Sequence, residues 1–105
     1  MSRAGLLALL LFATPALAED QKVTIAVRDH QFVPAEVPVS AGVKVELIIR
    51  NEQKTPAEFE STSLRREKVI AAGAAVSVFV GPLKPGRYEF FDDFHPATRG
   101  ALVAQ

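Results

Sequence analysis

One stretch decides the fold of this chain: GPLKPGRYEFFDDFHP, residues 81–96. It begins with two glycines and two prolines, which are typical of turns, and continues into Tyr88 and Phe90, two aromatic residues two positions apart. This period of two is the pattern of a β-strand with one buried face. Extending it to Asp92 predicts a carboxylate on the buried side at the strand's end. Such a carboxylate needs compensation from a metal ion, an arginine or backbone N–H groups.

The same period recurs along the rest of the chain. Longer stretches that show it are residues 23–28, 43–50 and 76–80, and shorter candidates are residues 36–39, 57–60 and 101–104. Pro34 and Pro38 mark an edge segment, because proline cannot donate to a central ladder. Residues 62–68 lack alternation, and we interpret them as a loop with room for one helical turn. The sequence therefore predicts an all-β fold, an antiparallel Greek-key β-sandwich of about seven strands.

The first eighteen residues have the features of a targeting segment. Arg3 precedes an apolar run over residues 6–12, and the small-residue pattern at residues 16–18 ends before Glu19. This order predicts a cleaved signal peptide over residues 1–18, because the apolar run is too short to span a bilayer. The expected mature protein is one domain over residues 19–105, located in the periplasm and not inserted in the membrane.

Composition narrows the classes of partner. The chain has no cysteine, so an exported domain of this size must be stable without disulfides. The full sequence has twelve basic and twelve acidic residues and a net charge of zero. This balance provides no basic surface and argues against nucleic acid and anionic membranes as partners.

Residues able to bind metal gather at three places. They are His30, the pair Glu58 and Glu60, and the segment from Asp92 to His95. His95 follows Asp92 by three residues, so we expect its imidazole to turn back toward the carboxylate. The alternative interpretation of these two residues is a buried ion pair or hydrogen bond that closes the end of the sandwich.

The C-terminal half resembles a cupredoxin. The carrying motifs are residues 81–91, then Asp92-x-x-His95-Pro96, then residues 98–103. In cupredoxins the phrase L-x-P-G-x-Y-x-F leads into a Cys-x-x-His-x-x-Met loop and a final strand. Residues 32–45 and 51–56 are similar to the early strands and the first-histidine loop of that family.

The departures from the family pattern concern the metal ligands. Asp92 stands where the resemblance places the copper thiolate, Ala57 where it places the first histidine, and Thr98 where it places the axial methionine. Only His95 remains. A blue copper site requires a thiolate, so the sequence excludes an electron carrier of that kind. An imidazole with carboxylates is a harder ligand set, which suits Cu(II), iron or manganese.

Three further residues are candidates for completing the site. Glu58 lies next to the lost first-ligand position and is the preferred third ligand, although a solvated strand residue is the plainer interpretation. Glu67 lies in a charged stretch that is usually a solvated face, but it could reach the site from its loop. His30 is interpreted as a surface histidine, or as a ligand of a second site or a hydrogen-bond donor to a ligand.

Within the cupredoxins, the chain is similar to cysteine-lacking periplasmic proteins of bacterial iron-uptake systems. The phrases that carry this likeness are residues 58–61, 64–68 and 90–95. The resemblance implies copper or iron as the bound ion, an iron permease or another periplasmic uptake component as partner, and assistance in Fe(II) oxidation. It implies Asp92 and His95 as the key residues.

Other classes of function remain as alternatives. A metal-free interaction module that docks a membrane transporter or another subunit is the main one, and a two-fold dimer stays open. No nucleophile–base pair or phosphate loop indicates a hydrolase or transferase. Ferroxidase-like activity together with a partner is the one enzymatic prediction.

Overall fold

The computed structural model describes residues 20–105. The predicted signal peptide over residues 1–18 lies outside the described residues. Within the described part, no helix is long and apolar enough to cross a membrane.

The described secondary structure consists of nine β-strands. They are β1 (Gln21–Arg28), β2 (Gln31–Val33), β3 (Glu36–Val39), β4 (Val45–Asn51), β5 (Ala57–Ser61), β6 (Arg66–Ile70), β7 (Ala75–Val80), β8 (Gly86–Asp92) and β9 (His95–Ala104).

The strands form two sheets that pack face to face. One sheet has the order β2-β1-β4-β7, and the other has the order β3-β9-β8-β5-β6. Two neighbouring pairs, β1 with β4 and β3 with β9, are parallel, and the other five are antiparallel. The predicted all-β sandwich is confirmed, with nine strands in place of about seven. The edge position predicted for residues 36–39 is also confirmed, because β3 is the outermost strand of its sheet.

The strand β6 differs from the sequence-based prediction. Residues 62–68 form no helical turn; they contain a tight turn, with Arg65 at φ 54°, that leads into β6. β6 is an edge strand in which only Ile70 is buried. Without a buried face the strand has no apolar alternation, so its sequence shows no strand signal.

The core follows the predicted period of two. Val45, Leu47 and Ile49 of β4 are fully buried, and Phe59 and Phe90 are fully buried on the inner face of the second sheet. The ring centroids of these two phenylalanines lie 5.0 Å apart. Burial of each such side chain contributes roughly 1.5–3 kcal/mol to stability. Phe59 pairs with Asp92, so these two phenylalanines lie in the core next to the end of β8.

Candidate metal centre

His30 is placed by the hairpin that joins β1 to β2. Arg28 pairs with Gln31, so Asp29 and His30 form a two-residue turn. Both turn residues have positive φ, 50° and 56°, as a type I′ turn requires, and its twist matches that of the flanking strands. The backbone N–H of His30 donates to Oε1 of Gln53 at 2.8 Å, which ties the turn to the loop after β4.

Asp92 is compensated by backbone donors. Its side chain points into the sandwich, as predicted, and the residue is 1% exposed. Its Oδ1 accepts the backbone N–H of Glu58 at 2.9 Å and that of Phe94 at 3.0 Å. Of the three compensations considered from the sequence, the structure provides backbone N–H groups for this oxygen. The bond to Phe94 also shapes the two-residue turn that places His95 opposite Asp92 at the start of β9.

The two histidines meet at the tips of these hairpins. Their ring centroids lie 4.1 Å apart, with 17° between the ring planes, and both residues are exposed. Thr98, which is buried, joins them: its hydroxyl lies 2.6 Å from the carbonyl oxygen of His30 and 2.8 Å from Nδ1 of His95.

The hydroxyl of Thr98 determines the tautomer of His95. A hydroxyl has one proton, and the carbonyl of His30 can only accept, so the proton of Thr98 is donated there. Thr98 must therefore accept from Nδ1–H of His95. Nε2 of His95 is left with a free lone pair, which is the arrangement found in metal-binding histidines whose other nitrogen donates to an oxygen.

A depression of about 240 Å³ lies between the hairpin tips, and both imidazoles, Asp92, Thr55 and Phe94 contribute to its lining. Imidazole and carboxylate groups fit Cu(II) or iron, and the cysteine-free chain lacks the thiolate that Cu(I) favours. The donor atoms of His30, Asp92 and His95 are not all within 4.8 Å of one another. A shared ion therefore requires the exposed imidazoles to move out of their stacked arrangement.

Glu58 and Glu67 lie elsewhere. Because Phe59 points into the core, Glu58 points to the outer face of its sheet, where Glu60 pairs directly with Glu67 across β5 and β6. Ligand atoms of Glu58, Glu60 and Asp93 lie within 4.8 Å of one another. We call the carboxylates of Glu58, Glu60, Glu67 and Asp93 the outer acidic cluster. The predicted ligands thus divide into His30, Asp92 and His95 at the depression and two glutamates on the outer face.

Crowding changes the acidity of the cluster. Burial, followed by Glu67, Asp93 and Glu60, raises the pKa of Glu58 to about 6. Burial and the neighbouring carboxylates of Asp93 and Glu67 also raise the pKa of Glu60. Glu58 is 8% exposed, so its charge is poorly solvated as well as repelled.

Two features of the site go beyond the sequence-based prediction. The hydrogen-bonding role of Thr98 has no local sequence signal, because it depends on a residue 68 positions away. The sequence names Glu60 and Asp93 as able to bind metal but not as preferred ligands, although the spacing of two between Glu58 and Glu60 places both on one strand face. The strand period does predict that Asp93 points away from the side that Asp92 faces, and that orientation agrees with the structure.

Comparison with known proteins identifies relatives of the whole domain. A family model described as a cupredoxin-like domain matches residues 3–104. The chain is 46% identical over 82 residues to Uncharacterized protein RP394 of Rickettsia prowazekii (strain Madrid E); the match covers 78% of this chain and 66% of that protein.

Solved structures share the fold at low identity. The metal binding domain of the Cu(I) exporting P-type ATPase CopA of Streptococcus pneumoniae D39, with Cu(I), has a TM-score of 0.76 and 16% identity, over 85% of this chain and 89% of that one. Auracyanin A, a "blue" copper protein of Chloroflexus aurantiacus, has a TM-score of 0.70 and 15% identity, over 83% of this chain and all of that one. A purple cupredoxin of Nitrosopumilus maritimus has a TM-score of 0.63 and 14% identity, over 79% and 99%.

Proposed function

This chain belongs to the cupredoxin-like domain family, and from that premise we propose that it is an exported protein that binds Cu(II) or iron between its two histidine-bearing hairpin tips. The ion would be held by Nε2 of His95, with His30 and the lining carboxylate of Asp92 as further donors. The proposed location is the periplasm.

One observation carries this proposal: the hydrogen-bond chain from His95 through Thr98 to the carbonyl of His30. An exposed histidine that binds no metal has no functional need for a buried partner that fixes its tautomer. In a metal-binding histidine, the fixed tautomer keeps the lone pair of Nε2 available for the metal and orients the ring. The second histidine, in contact with the first, supports the same site.

The proposed cellular role is assistance in iron uptake, with an iron permease or another periplasmic uptake component as partner. If held there by His95 with His30 and Asp92, Cu(II) would supply a one-electron acceptor for the oxidation of Fe(II), with O2 or the partner as the final electron acceptor. The exposed rim of the depression, including Phe94 at 53% exposure, gives iron or a partner access to the ligands.

Isothermal titration of the mature protein with Cu(II) tests the binding site. We expect His95→Ala to weaken Cu(II) binding by about 10- to 100-fold or more, and His30→Ala to weaken it less. Phe94→Ala is the matched control, because it removes another exposed lining side chain that has no donor atom, and it should bind as the wild type does. Equal Cu(II) affinity of His95→Ala and Phe94→Ala would contradict the proposed site.

A second measurement tests the iron role. The copper-loaded wild type should accelerate loss of Fe(II) in air, followed with a ferrous-specific chelating dye, and His95→Ala should not. If copper binds and Fe(II) oxidation is unchanged, the site stands but the iron-uptake role fails. If neither copper nor iron raises the melting temperature, the metal-free docking module becomes the better account, because a ligand of the native state must raise it.

A further inference from the structure

The two histidines of the candidate metal centre are held in different ways. The ring of His95 is oriented by the hydroxyl of Thr98, which lies 2.8 Å from its Nδ1. Within residues 20–105, both hydrogen bonds that His30 makes to other parts of the chain use its backbone, and its ring contacts the ring of His95 by stacking. The position of the His30 ring therefore depends on where the backbone of the β1–β2 turn lies.

The backbone of His30 is fixed from both sides. Its carbonyl oxygen accepts the hydroxyl proton of Thr98 at 2.6 Å, and its N–H donates to Oε1 of Gln53 at 2.8 Å. His30 has a φ of 56°, a conformation that residues other than glycine adopt at a cost. Contacts from outside the turn offset this cost. Thr98 contacts both histidines, whereas the bond from Gln53 reaches His30 alone.

Gln53 is itself held by Asn51, which is buried at the end of β4. Oδ1 of Asn51 accepts the backbone N–H of Gln53 at 3.1 Å and its side-chain Nε2 at 3.4 Å. Nδ2 of Asn51 donates to the carbonyl oxygens of Thr55 at 2.8 Å and Ile70 at 3.0 Å. Because Nε2 of Gln53 faces Asn51, its Oε1 faces the turn. A chain of hydrogen bonds thus runs from the end of β6 through Asn51 and Gln53 to His30.

The other bonds between this loop and the first hairpin act on β1 and not on His30. The N–H of Glu52 donates to the carbonyl oxygen of Val27 at 2.9 Å, and Nε of Arg28 lies 2.7 Å from Oε2 of Glu52 in an exposed ion pair. Both remain when the side chain of Gln53 is changed. Removing the acceptor of Gln53 should therefore release the tip of the hairpin while the sandwich stays folded.

We infer that Gln53 is a positioning residue of the candidate metal centre: its Oε1 holds the backbone of His30 so that the His30 ring meets the His95 ring at the depression. Gln53 thereby determines whether the second imidazole is available to an ion that His95 binds. This inference deepens the proposed function, and its consequence for Cu(II) binding rests on that function. The placement of the His30 ring can be tested without any metal.

NMR of the metal-free protein tests the positioning directly. Gln53→Met retains the length of the side chain and removes its acceptor. The amide proton of His30 should then exchange about 2- to 10-fold faster, as expected for the loss of one hydrogen bond, and the nuclear Overhauser effect between the two imidazole rings should be lost. Gln53→Glu retains an acceptor oxygen and should restore both. Glu52→Met is the matched control, because it removes the neighbouring side chain and its ion pair but leaves the bond to His30.

Calorimetric titration with Cu(II) tests the consequence for the metal centre. Gln53→Met should weaken binding by up to about tenfold, the low end of the loss when a partner of a ligand is removed, and by no more than His30→Ala does. Glu52→Met should bind Cu(II) as the wild type does. Adding Gln53→Met to His30→Ala should cause no further loss, because Gln53 acts through His30. A further loss in that double variant would overturn the inference.

The two experiments separate this inference from the proposed function. If the wild type binds no Cu(II), the proposed function fails, and the ring contact in the metal-free protein still decides the role of Gln53. The inference is overturned if Gln53→Met retains both the amide exchange rate of His30 and the ring contact of the wild type.

Discussion

At the scale of the residue, Thr98 and Asp92 are two buried polar side chains that each make two hydrogen bonds, with different consequences. The hydroxyl of Thr98 both donates and accepts, and it thereby transmits the position of one hairpin tip to the imidazole on the other. Asp92 accepts two backbone N–H groups and closes the β8–β9 turn against β5. Its buried charge is thus explained by structure at Oδ1, while its place in the lining of the depression keeps it within the candidate metal centre.

Replacing Thr98 with valine should affect metal binding more than it affects folding. The variant removes the acceptor for Nδ1–H of His95, so both tautomers of His95 become populated and Cu(II) affinity should fall by about 10- to 100-fold. Nitrogen-15 NMR of the imidazole reports the tautomer, and calorimetry reports the affinity. Thr98→Ser retains the hydroxyl and should restore both. Unchanged Cu(II) affinity in Thr98→Val would contradict the proposed role.

Removing the side chain of Asp92 should be costly for stability. Asp92→Ala leaves the buried N–H of Glu58 without its acceptor and frees that of Phe94, and a buried unsatisfied donor costs about 1–3 kcal/mol. Asp92→Asn preserves an acceptor oxygen and should lose much less. Urea unfolding of the two variants measures the difference. If both lose the same free energy of unfolding, the negative charge and not the pair of backbone bonds is what matters at Asp92.

At the scale of the element, the two faces of the five-stranded sheet have opposite effects on its stability. Its inner face buries Phe59 and Phe90 among aliphatic side chains, and its outer face concentrates like charge where β5, β6 and the β8–β9 turn meet. Across β5 and β6, Glu60 is directly opposite Glu67, a pairing that destabilises a ladder. The inner face therefore stabilises the sheet against the repulsion on its outer face.

The pH dependence of stability should reveal this repulsion. The pKa of Glu58 is raised from 4.5 to about 6, so between these values the folded state binds a proton that the unfolded state has lost. The contribution of Glu58 is therefore fully present below about pH 4.5 and is lost as the pH rises through about 6. Melting curves in metal-free buffer across this range should show a fall with rising pH that is smaller in Glu58→Gln. An equal fall in both proteins would assign it to other groups.

The packing of β9 on β8 leaves no room at Gly100. A Cβ atom there would lie 2.7 Å from the ring of Phe90 and 2.8 Å from the carbonyl oxygen of Ala35. Gly100→Ala should therefore destabilise the fold by about 1–3 kcal/mol, the usual cost of overpacking. Phe90→Leu combined with Gly100→Ala should cost less than the sum of the two single changes, because the smaller side chain yields space. Strictly additive free energies of unfolding would show that the ring is not the obstacle.

At the scale of the whole molecule, the proposed function depends on the predicted export and on an end of the sandwich that distant parts of the chain form together. The depression between the hairpins draws on three separate stretches: the β1–β2 turn, the loop after β4 and the β8–β9 turn. The outer acidic cluster shares only the last of these. Two chemically different groups of donors therefore occupy adjoining surfaces of one small domain.

Export should remove the first eighteen residues. Mass spectrometry of the protein from a periplasmic extract should give a chain that begins at Glu19, since the small residues at positions 16 and 18 suit the signal peptidase. Ala18→Arg should block processing and leave a longer chain. A wild-type protein that retains residues 1–18 in the extract would contradict the predicted cleavage.

The sequence by itself determined the fold class, the identity of most core residues and the inward direction of Asp92, because strand alternation is a local property that neighbouring residues express together. It also excluded a thiolate copper site, since the chain contains no cysteine. Only the tertiary structure decided that His30 meets His95, that Thr98 joins them, and that Glu58 and Glu67 lie apart from both. These relations depend on strand order and on which strands of the two sheets come together at one end, with partners up to 68 residues apart. No local sequence pattern indicates these long-range contacts.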